Sequence, residues 1–334
     1  MNTEQPLISI VAPIFNEEQV IDTFYHQLCV VLDEMKLPAE LIFVDDGSRD
    51  NSADILNKLQ QDDPRIAIVQ LSRNFGKEIA LTAGLDHSHG DAVIVIDTDL
   101  QDPPELIPQL IEEWRNGYDV VYAQRLKREG ESWFKKMTAH NFYRLIRRTS
   151  DINIPADTGD FRLLSRRAVE ALGQLRERHR FMKGLFTWIG YPQKAVKYNR
   201  QPRRAGHTKW NYWKLWNFAL EGITSFSTAP LRLATYFGLL VALFSFIYGA
   251  YIIYKTLAHG NPVPGYPSLM VVILFLGGIQ LIGIGIIGEY LGRLYDESKQ
   301  RPLYLLKSYH PADAFSDSSA ATRSSTGTQS PISD

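Results

Sequence analysis

The segment Ala92-Val93-Ile94-Val95-Ile96-Asp97-Thr98-Asp99-Leu100-Gln101-Asp102 is an apolar, largely β-branched run that stops at two aspartates one residue apart. A continuous apolar strand of this kind belongs to a parallel sheet covered on both faces, and its open end is where α/β proteins bind ligands. Carboxylates gathered there invite a hard divalent cation, which commonly also holds a phosphate. The stretch predicts an α/β domain that handles a phosphorylated, metal-bridged small molecule.

The flanking sequence repeats the pattern. Residues 7–12 read as a first strand stopped by Pro13, and Asn16-Glu17-Glu18 opens a helix to about Met35. Residues 41–44 form a second strand closed by Asp45-Asp46-Gly47-Ser48, and Asp50 or Ser52 caps a helix through Leu59. A strand over 66–71 and a helix from Lys77 to His87 precede the 92–96 strand. Pro103-Pro104 starts a helix through Trp114, and residues 120–123 are a further strand. Strands alternating with helices indicate βαβ units in a mostly parallel sheet. The first strand lacks the glycine fingerprint of dinucleotide sites, which argues against a nicotinamide enzyme.

Lys plus Arg total 36 and Asp plus Glu 37, so no net charge points to a nucleic-acid partner. The single cysteine, Cys29, excludes an intramolecular disulfide and a cysteine-based zinc site. Residues 1–6 carry no basic region followed by an apolar run, so the N-terminal domain is expected to stay in the cytosol. Residues 125–148 and 200–216 mix Arg and Lys with Trp, Phe and Tyr, a composition suited to the headgroup layer of a membrane. Residues 233–254 and 269–291 are each long enough to cross a hydrocarbon core of ~30 Å. Arg232, Arg293, Lys299, Arg301 and Lys307 flank the spans, whereas the 255–268 link holds only Lys255 and His259. The positive-inside rule therefore puts both ends in the cytoplasm of a multi-pass inner-membrane protein. Glu289 near the second span's end is placed either to snorkel to the interface or to pair with Arg293. Glycines 277, 278, 283, 285, 288 and 292 allow close helix approach and a homo-oligomer, a tetramer ahead of a dimer. Residues 316–334 read as a disordered tail.

Polar clusters at Pro13–Glu17, Asp45-Asp46, Arg73-Asn74 and Asp97–Asp99 fall at strand ends on one expected rim. The segments Ile10–Glu18, Phe43–Ser48 and Asp97–Asp102 resemble the family 2 inverting glycosyltransferases of GT-A fold. Arg73-Asn74-Phe75-Gly76-Lys77 and Asp157-Thr158-Gly159-Asp160-Phe161-Arg162-Leu163 are similar to the polyprenyl-phosphate branch, with its dolichol-phosphate mannose synthases and bactoprenol glucosyltransferases. The resemblance implies a GT-A catalytic domain over 1–205, interfacial amphipathic helices over 206–230, two transmembrane helices over 231–293 and a cytosolic C-terminal segment over 294–334. It further implies that Pro13, Phe15 and Glu17 line the nucleoside pocket and that Asp45 accepts from uracil or ribose. Asp97 would lie near the ribose or sugar, Asp99 would be the main ligand of Mg²⁺ or Mn²⁺, and Gln101 would face the donor sugar. Phe15 stands where many relatives carry tyrosine, which removes a hydroxyl contact.

The chemistry follows from the charges. A departing nucleoside diphosphate needs its negative charge offset, by a Lewis-acid cation and by arginines. A lipid phosphate is already anionic, so it needs positioning more than a strong base. Arg125, Arg128, Lys135 and Lys136 are candidates for the acceptor phosphate. Arg200, Arg203, His207 and Lys209 are candidates to close over the donor diphosphate. Asp157 and Asp160 remain as groups to orient the acceptor, complete a metal site or take a residual proton, with Asp157 favoured; for Asp160, capping or pairing with Arg162 is the other reading. The resemblance implies inverting transfer of glucose from UDP-glucose to undecaprenyl phosphate. GDP-mannose, an amino-arabinose donor and an N-acetylhexosamine donor are alternatives with the same mechanism. A processive synthase lacks support because no Gln-x-x-Arg-Trp motif is present. A non-catalytic membrane scaffold is the reading from another class.

Overall fold

The computed structural model describes residues 5–126, 158–198, 229–259 and 265–313. They fall into two compact units: residues 5–126, 158–198 and 302–313 form the first, and 229–259 with 265–301 the second.

The first unit is an α/β sandwich. Its strands are β1 (Ile8–Ile14), β2 (Ala39–Asp45), β3 (Ile66–Leu71), β4 (Ala92–Val95), β5 (Val120–Arg125), β6 (Thr158–Ser165), β7 (Gln193–Tyr198) and β8 (Leu306–His310). They form one sheet in the order β7-β5-β6-β4-β1-β2-β3-β8. β1 is parallel to both β2 and β4, β2 to β3, and β5 to β7, whereas β6 and β8 run antiparallel to their neighbours. Strand order reverses at β1, which lies between β2 and β4, and that reversal opens a crevice at the carboxyl ends.

The helices are α1 (Ile21–Met35), α2 (Ser52–Asp62), α3 (Lys77–Asp86), α4 (Ile107–Arg115, after a 3₁₀ turn at Pro104–Leu106), α5 (Arg166–Gln174) and α6 (Met182–Trp188). α1 buries Ile21, Phe24, Leu28, Val31 and Leu32, an apolar stripe at helical spacing, and sets Phe24 edge-on against Phe43 of β2. It begins at Ile21 rather than near Asn16, because Asn16 has a φ of 54° and its side chain is committed to the next loop. In α3 a Cβ on Gly84 would sit 2.2 Å from Val11 Cγ1, so glycine lets this helix lie directly on β1. Ser165 caps α5 by accepting from Ala168 N at 3.3 Å.

The 120–123 strand extends to Arg125, and the 92–96 strand ends at Val95. β6, β7 and β8 complete the sheet beyond the elements predicted above. β6 wedges antiparallel between β4 and β5, with Val95 opposite Arg162. Continuing that register by two residues sets Asp160 opposite Asp97.

The second unit contains α7 (Ala229–His259) and α8 (Tyr266–Ser298), which contact each other. Each is long and apolar enough to cross a membrane, by length and composition. Large apolar side chains such as Phe246 and Leu281 are more than two-thirds exposed, which matches a hydrocarbon solvent better than water. Arg293 pairs with Glu289 at 3.1 Å.

Candidate active site

Two loops at the crevice are laced together. Asn16 N donates to Ser48 Oγ (3.0 Å), Glu17 N to Ser52 Oγ (3.1 Å) and Glu18 N to Asp50 Oδ2 (3.2 Å), while Arg49 N donates back to Asn16 Oδ1 (2.8 Å). Asp50 and Ser52, read above as caps for α2, thus serve the loop after β1; Asp50 Oδ1 also accepts from Ser52 N. The buried Asp46 carboxylate accepts from Phe75 N (2.7 Å) and Gly76 N (2.9 Å) and fixes the Arg73–Gly76 loop beside them. Burial pushes its pKa up, against those two bonds.

Between these loops lies a cavity of about 300 Å³, lined by residues that include Phe15, Asp45, Gln70, Arg73 and Lys307. Asp45 is 1% exposed and accepts from Ser48 N (2.8 Å) and Gln70 Nε2 (3.0 Å). The Phe15 ring is 39% exposed on the cavity wall. Pro13 sits in β1 opposite Val44, and neither it nor Glu17 belongs to the lining.

Further along the rim, Lys77 joins the aspartates. Its Nζ is 2.7 Å from the Asp97 carboxylate and 2.5 Å from Asp160 Oδ2. Two carboxylates brought together by strand register repel, and the ammonium between them offsets that. Burial pushes Asp97 above its ordinary range; Lys77 opposes this and Asp160 adds to it. Against burial, Lys77, Lys183 and Arg162 hold Asp160 below the ordinary carboxylate range. Glu78, in the same turn of α3, is pushed up to about 7 by burial and by the Asp160 charge. Oδ1 of Asp160 is shielded from water and accepts no hydrogen bond, while the equally shielded Oδ1 of Asp97 lies 2.7 Å from Lys77 Nζ.

The Asp99 loop is strained. Leu100 has a φ of 58°, unfavourable for a side chain of its size. That turn lets Gln101 fold back on Asp99, with Nε2 donating to Oδ2 at 2.8 Å and N donating to Oδ1 at 3.2 Å. Asp102, 2% exposed, accepts from Tyr198 Oη and lies 3.6 Å from Arg125 Nη2. Arg125 Nε donates to Tyr198 Oη at 3.2 Å. Gly159 keeps this cluster open, since a Cβ there would meet Arg125 Nη2 at 3.1 Å.

Arg162 does not pair with the Asp160 carboxylate. It donates to the main-chain oxygens of Gly159 (2.9 Å) and Asp160 (3.3 Å) and stacks 3.8 Å from the Phe186 ring centre. Burial draws its pKa down to about 10. Lys77 and Lys307, with Gln70, Asp102 and Tyr198, are site residues that the sequence reading did not select. Lys77 was within reach, as it closes the Arg73–Lys77 motif; Lys307 carried no local signal. Asp157, Arg128, Lys135, Lys136, Arg200, Arg203, His207, Lys209 and the interfacial helices of 206–230 lie outside the described residues.

As a cation site, the rim offers hard carboxylate oxygens in Asp97 and Asp99, the Asp97 carboxylate already holding the Lys77 ammonium at 2.7 Å. No group of three or more His, Cys, Asp or Glu side chains converges among the described residues. The donor set fits an ion that takes its remaining ligands from a diphosphate and water.

Comparison with known proteins matches this architecture. The "Glycosyl transferase family 2" profile covers residues 9–173, and the "GtrB C-terminal hairpin" profile covers 229–294. An uncharacterized glycosyltransferase of Synechocystis is 56% identical over 90% of this chain and 94% of its own length. The bactoprenol glucosyl transferase of Shigella phage SfV is 54% identical over 90% and 98% respectively. Among solved structures, glucosyl-3-phosphoglycerate synthase of Mycobacterium tuberculosis, in complex with Mn²⁺, UDP-glucose and phosphoglyceric acid, aligns at TM-score 0.45. It is 20% identical over 66% of this chain and 78% of that one. With a mostly parallel GT-A sheet and relatives more than half identical along nearly their whole length, the chain belongs to glycosyl transferase family 2 and is a glycosyltransferase.

Proposed function

We propose that this enzyme transfers glucose from UDP-glucose to a polyprenyl phosphate at the cytoplasmic face of the membrane, with inversion. The observation that carries the reading is one chain joining an acidic rim and cavity to an apolar helical hairpin, matched over 90% of its length by a bactoprenol glucosyl transferase. β3 and β8 belong to one sheet although α7 and α8 lie between them in sequence. A hairpin that crosses the membrane twice would return the chain to the side it left, which supports both ends lying in the cytoplasm. The row of glycines from Gly277 to Gly292 along α8 would let a second helix approach closely, which supports self-association.

The cavity would take the nucleoside, with Asp45 as acceptor and Phe15 against the base. Mg²⁺ or Mn²⁺ held by Asp99 and Asp97 would supply Lewis-acid charge for the leaving diphosphate. Lys77 keeps Asp97 and Asp160 together and adds positive charge to the same place. Because Asp160 holds its charge below the ordinary range, it is a weak base and suits orientation of the acceptor; Asp157 is the candidate for any residual proton. Arg125 keeps its remaining N–H groups for the acceptor phosphate while Asp102 and Tyr198 fix its position. Arg128, Lys135, Lys136, Arg200 and Lys209 complete the proposed phosphate contacts.

The test is sugar transfer from a panel of labelled nucleotide sugars to undecaprenyl phosphate, with Mg²⁺, Mn²⁺ or EDTA, for wild type and Asp99→Ala. Labelled lipid from UDP-glucose, lost in EDTA and in the variant, is expected. Transfer from another donor alone would replace the sugar, and no labelled lipid from any donor would overturn the reading.

A further inference from the structure

The cavity has a wall that comes from far along the chain. β8 pairs with β3 so that Val69 faces Tyr309 and Gln70 faces Ser308, but the next pair is Leu71 with Leu306. Lys307 is therefore the extra residue of a bulge. Bulges re-aim a side chain and favour positions beside active sites. Lys307 lines the cavity alongside Asp45 and Gln70 and has no ion-pair partner among the described residues.

Its neighbour orders the opposite group. Ser308 Oγ donates to Gln70 Oε1 at 3.1 Å, which fixes the amide so that Nε2 donates to Asp45 Oδ2 at 3.0 Å. Ser48 N holds the other carboxylate oxygen at 2.8 Å. Asp45 is thus held from both sides, and each oxygen keeps a lone pair for a ligand. The cavity presents a fixed acceptor, Asp45, and a cationic donor on a flexible stem, Lys307.

We propose that Lys307 is a specificity-determining residue that, together with Asp45, reads the imide edge of the donor's nucleobase. This rests on the reading of the cavity as the nucleoside site. An imide edge is an N–H beside a carbonyl: the N–H would donate to Asp45, and the carbonyl would accept from Lys307. Uracil and guanine carry that edge. Cytosine and adenine carry the reverse, a bare ring nitrogen beside an amino group, which would face a lone pair with the carboxylate and a donor with the ammonium. A base edge mismatched against a buried, fixed carboxylate such as Asp45 is strongly rejected.

The test uses the full-length protein in nanodiscs with Mn²⁺ and measures binding of UDP, CDP and GDP by calorimetry, for wild type, Lys307→Met and Lys307→Arg. Wild type is expected to prefer UDP to CDP by about 30-fold or more, since the site is built to bond that edge. Lys307→Met should shrink the ratio about tenfold, mainly by weakening UDP, the loss expected for a charged hydrogen bond. Lys307→Arg should keep most of it. GDP binding ahead of UDP would retain the imide reading and change the donor. An unchanged ratio in Lys307→Met, or a wild type indifferent to UDP and CDP, would overturn the inference and leave the nucleoside site standing. If no diphosphate binds wild type, the nucleoside reading itself falls, and this inference with it.

Discussion

Lys77 and Asp160 are joined across 83 residues of sequence, with Nζ 2.5 Å from Oδ2. The contact ties the first turn of α3 to the start of β6. Because the same ammonium reaches Asp97, one lysine sets the spacing of two carboxylates from different strands. Lys77→Met should destabilise the protein by about 1–3 kcal/mol, below the 3–5 of a fully buried pair because the lysine is partly exposed. Transfer activity should fall about 100-fold or more, as for loss of an oriented charge at a reacting centre. Chemical denaturation and initial rates on the same preparation check both.

Gly47 stands where a side chain has no room. Its φ is 68°, and a Cβ would lie 2.6 Å from the Arg73 carbonyl carbon and 2.8 Å from Asn74 N. Both obstacles are backbone, so the Arg73–Gly76 loop would have to move. Gly47→Ala should cost about 2–3 kcal/mol from strain and overpacking together. It should also weaken nucleotide binding, because Gly47 and Arg73 both line the cavity. Thermal unfolding with and without UDP measures the two effects separately.

A second ionic cluster lies where β1, β2 and β4 begin, at the opposite edge of the sheet. His89 Nδ1 is 2.8 Å from Glu40 Oε1, and Ser9 Oγ donates to Glu40 Oε2 at 2.7 Å. Bonding to Glu40 raises the His89 pKa against burial; against burial, the bonds from His89 and Ser9 lower that of Glu40. The histidine's contribution is full below its unfolded value, about 6.5, and is lost as pH rises through the folded one. The glutamate's contribution is present above about 4.3 and is lost as pH falls through its lowered folded value. The pair therefore stabilises most between about pH 4.3 and 6.5, by about 1 kcal/mol after allowance for the exposed ring. The stability gap between wild type and His89→Gln should peak near pH 5–6 and shrink by pH 9; a gap that widens at pH 9 would refute this.

Tyr198→Phe removes the hydroxyl that bonds Asp102 and receives Arg125. Among the described residues, a 2% exposed carboxylate would be left with only the longer 3.6 Å approach of Arg125. The expected cost is about 1–3 kcal/mol, the range for a buried acceptor losing its donor. The KM for the lipid acceptor should rise while that for the nucleotide sugar holds, since Arg125 is the phosphate candidate here. Steady-state kinetics with each substrate varied in turn decides it.

The first half of the sheet was legible because each strand is an apolar run followed by polar or turn-forming residues. β1 to β5 and their helices stand within a few residues of the predicted places. The rim was legible for the same reason, since Phe15, Asp45, Asp97 and Asp99 all lie at strand ends. β6 was only half visible: its Asp160 was selected as a motif, but nothing local announces an antiparallel strand between β4 and β5. Lys77 looked like the start of a helix, and only the register of β6 against β4 reveals what it bridges. β8 is too short and too exposed to register as a strand, with Leu306, Lys307 and His310 all exposed. Its pairing is a tertiary fact, set by contact with β3 and by Gln60 Nε2 donating to the main-chain oxygens of His310 and Pro311.

That late strand also sets an order of events during synthesis. Chains fold from the N-terminus as they leave the ribosome, so β3 is an uncovered edge while α7 and α8 are still being made. An uncovered edge is a hazard for self-pairing, and here it persists through translation of two long apolar helices. β8 then arrives, seals the edge and brings Lys307 and Ser308 with it. A chain released before that point is a sheet without its last wall. The cavity wall that Lys307 supplies therefore comes after the hairpin in order of synthesis, so a chain cut short before β8 would lack that wall.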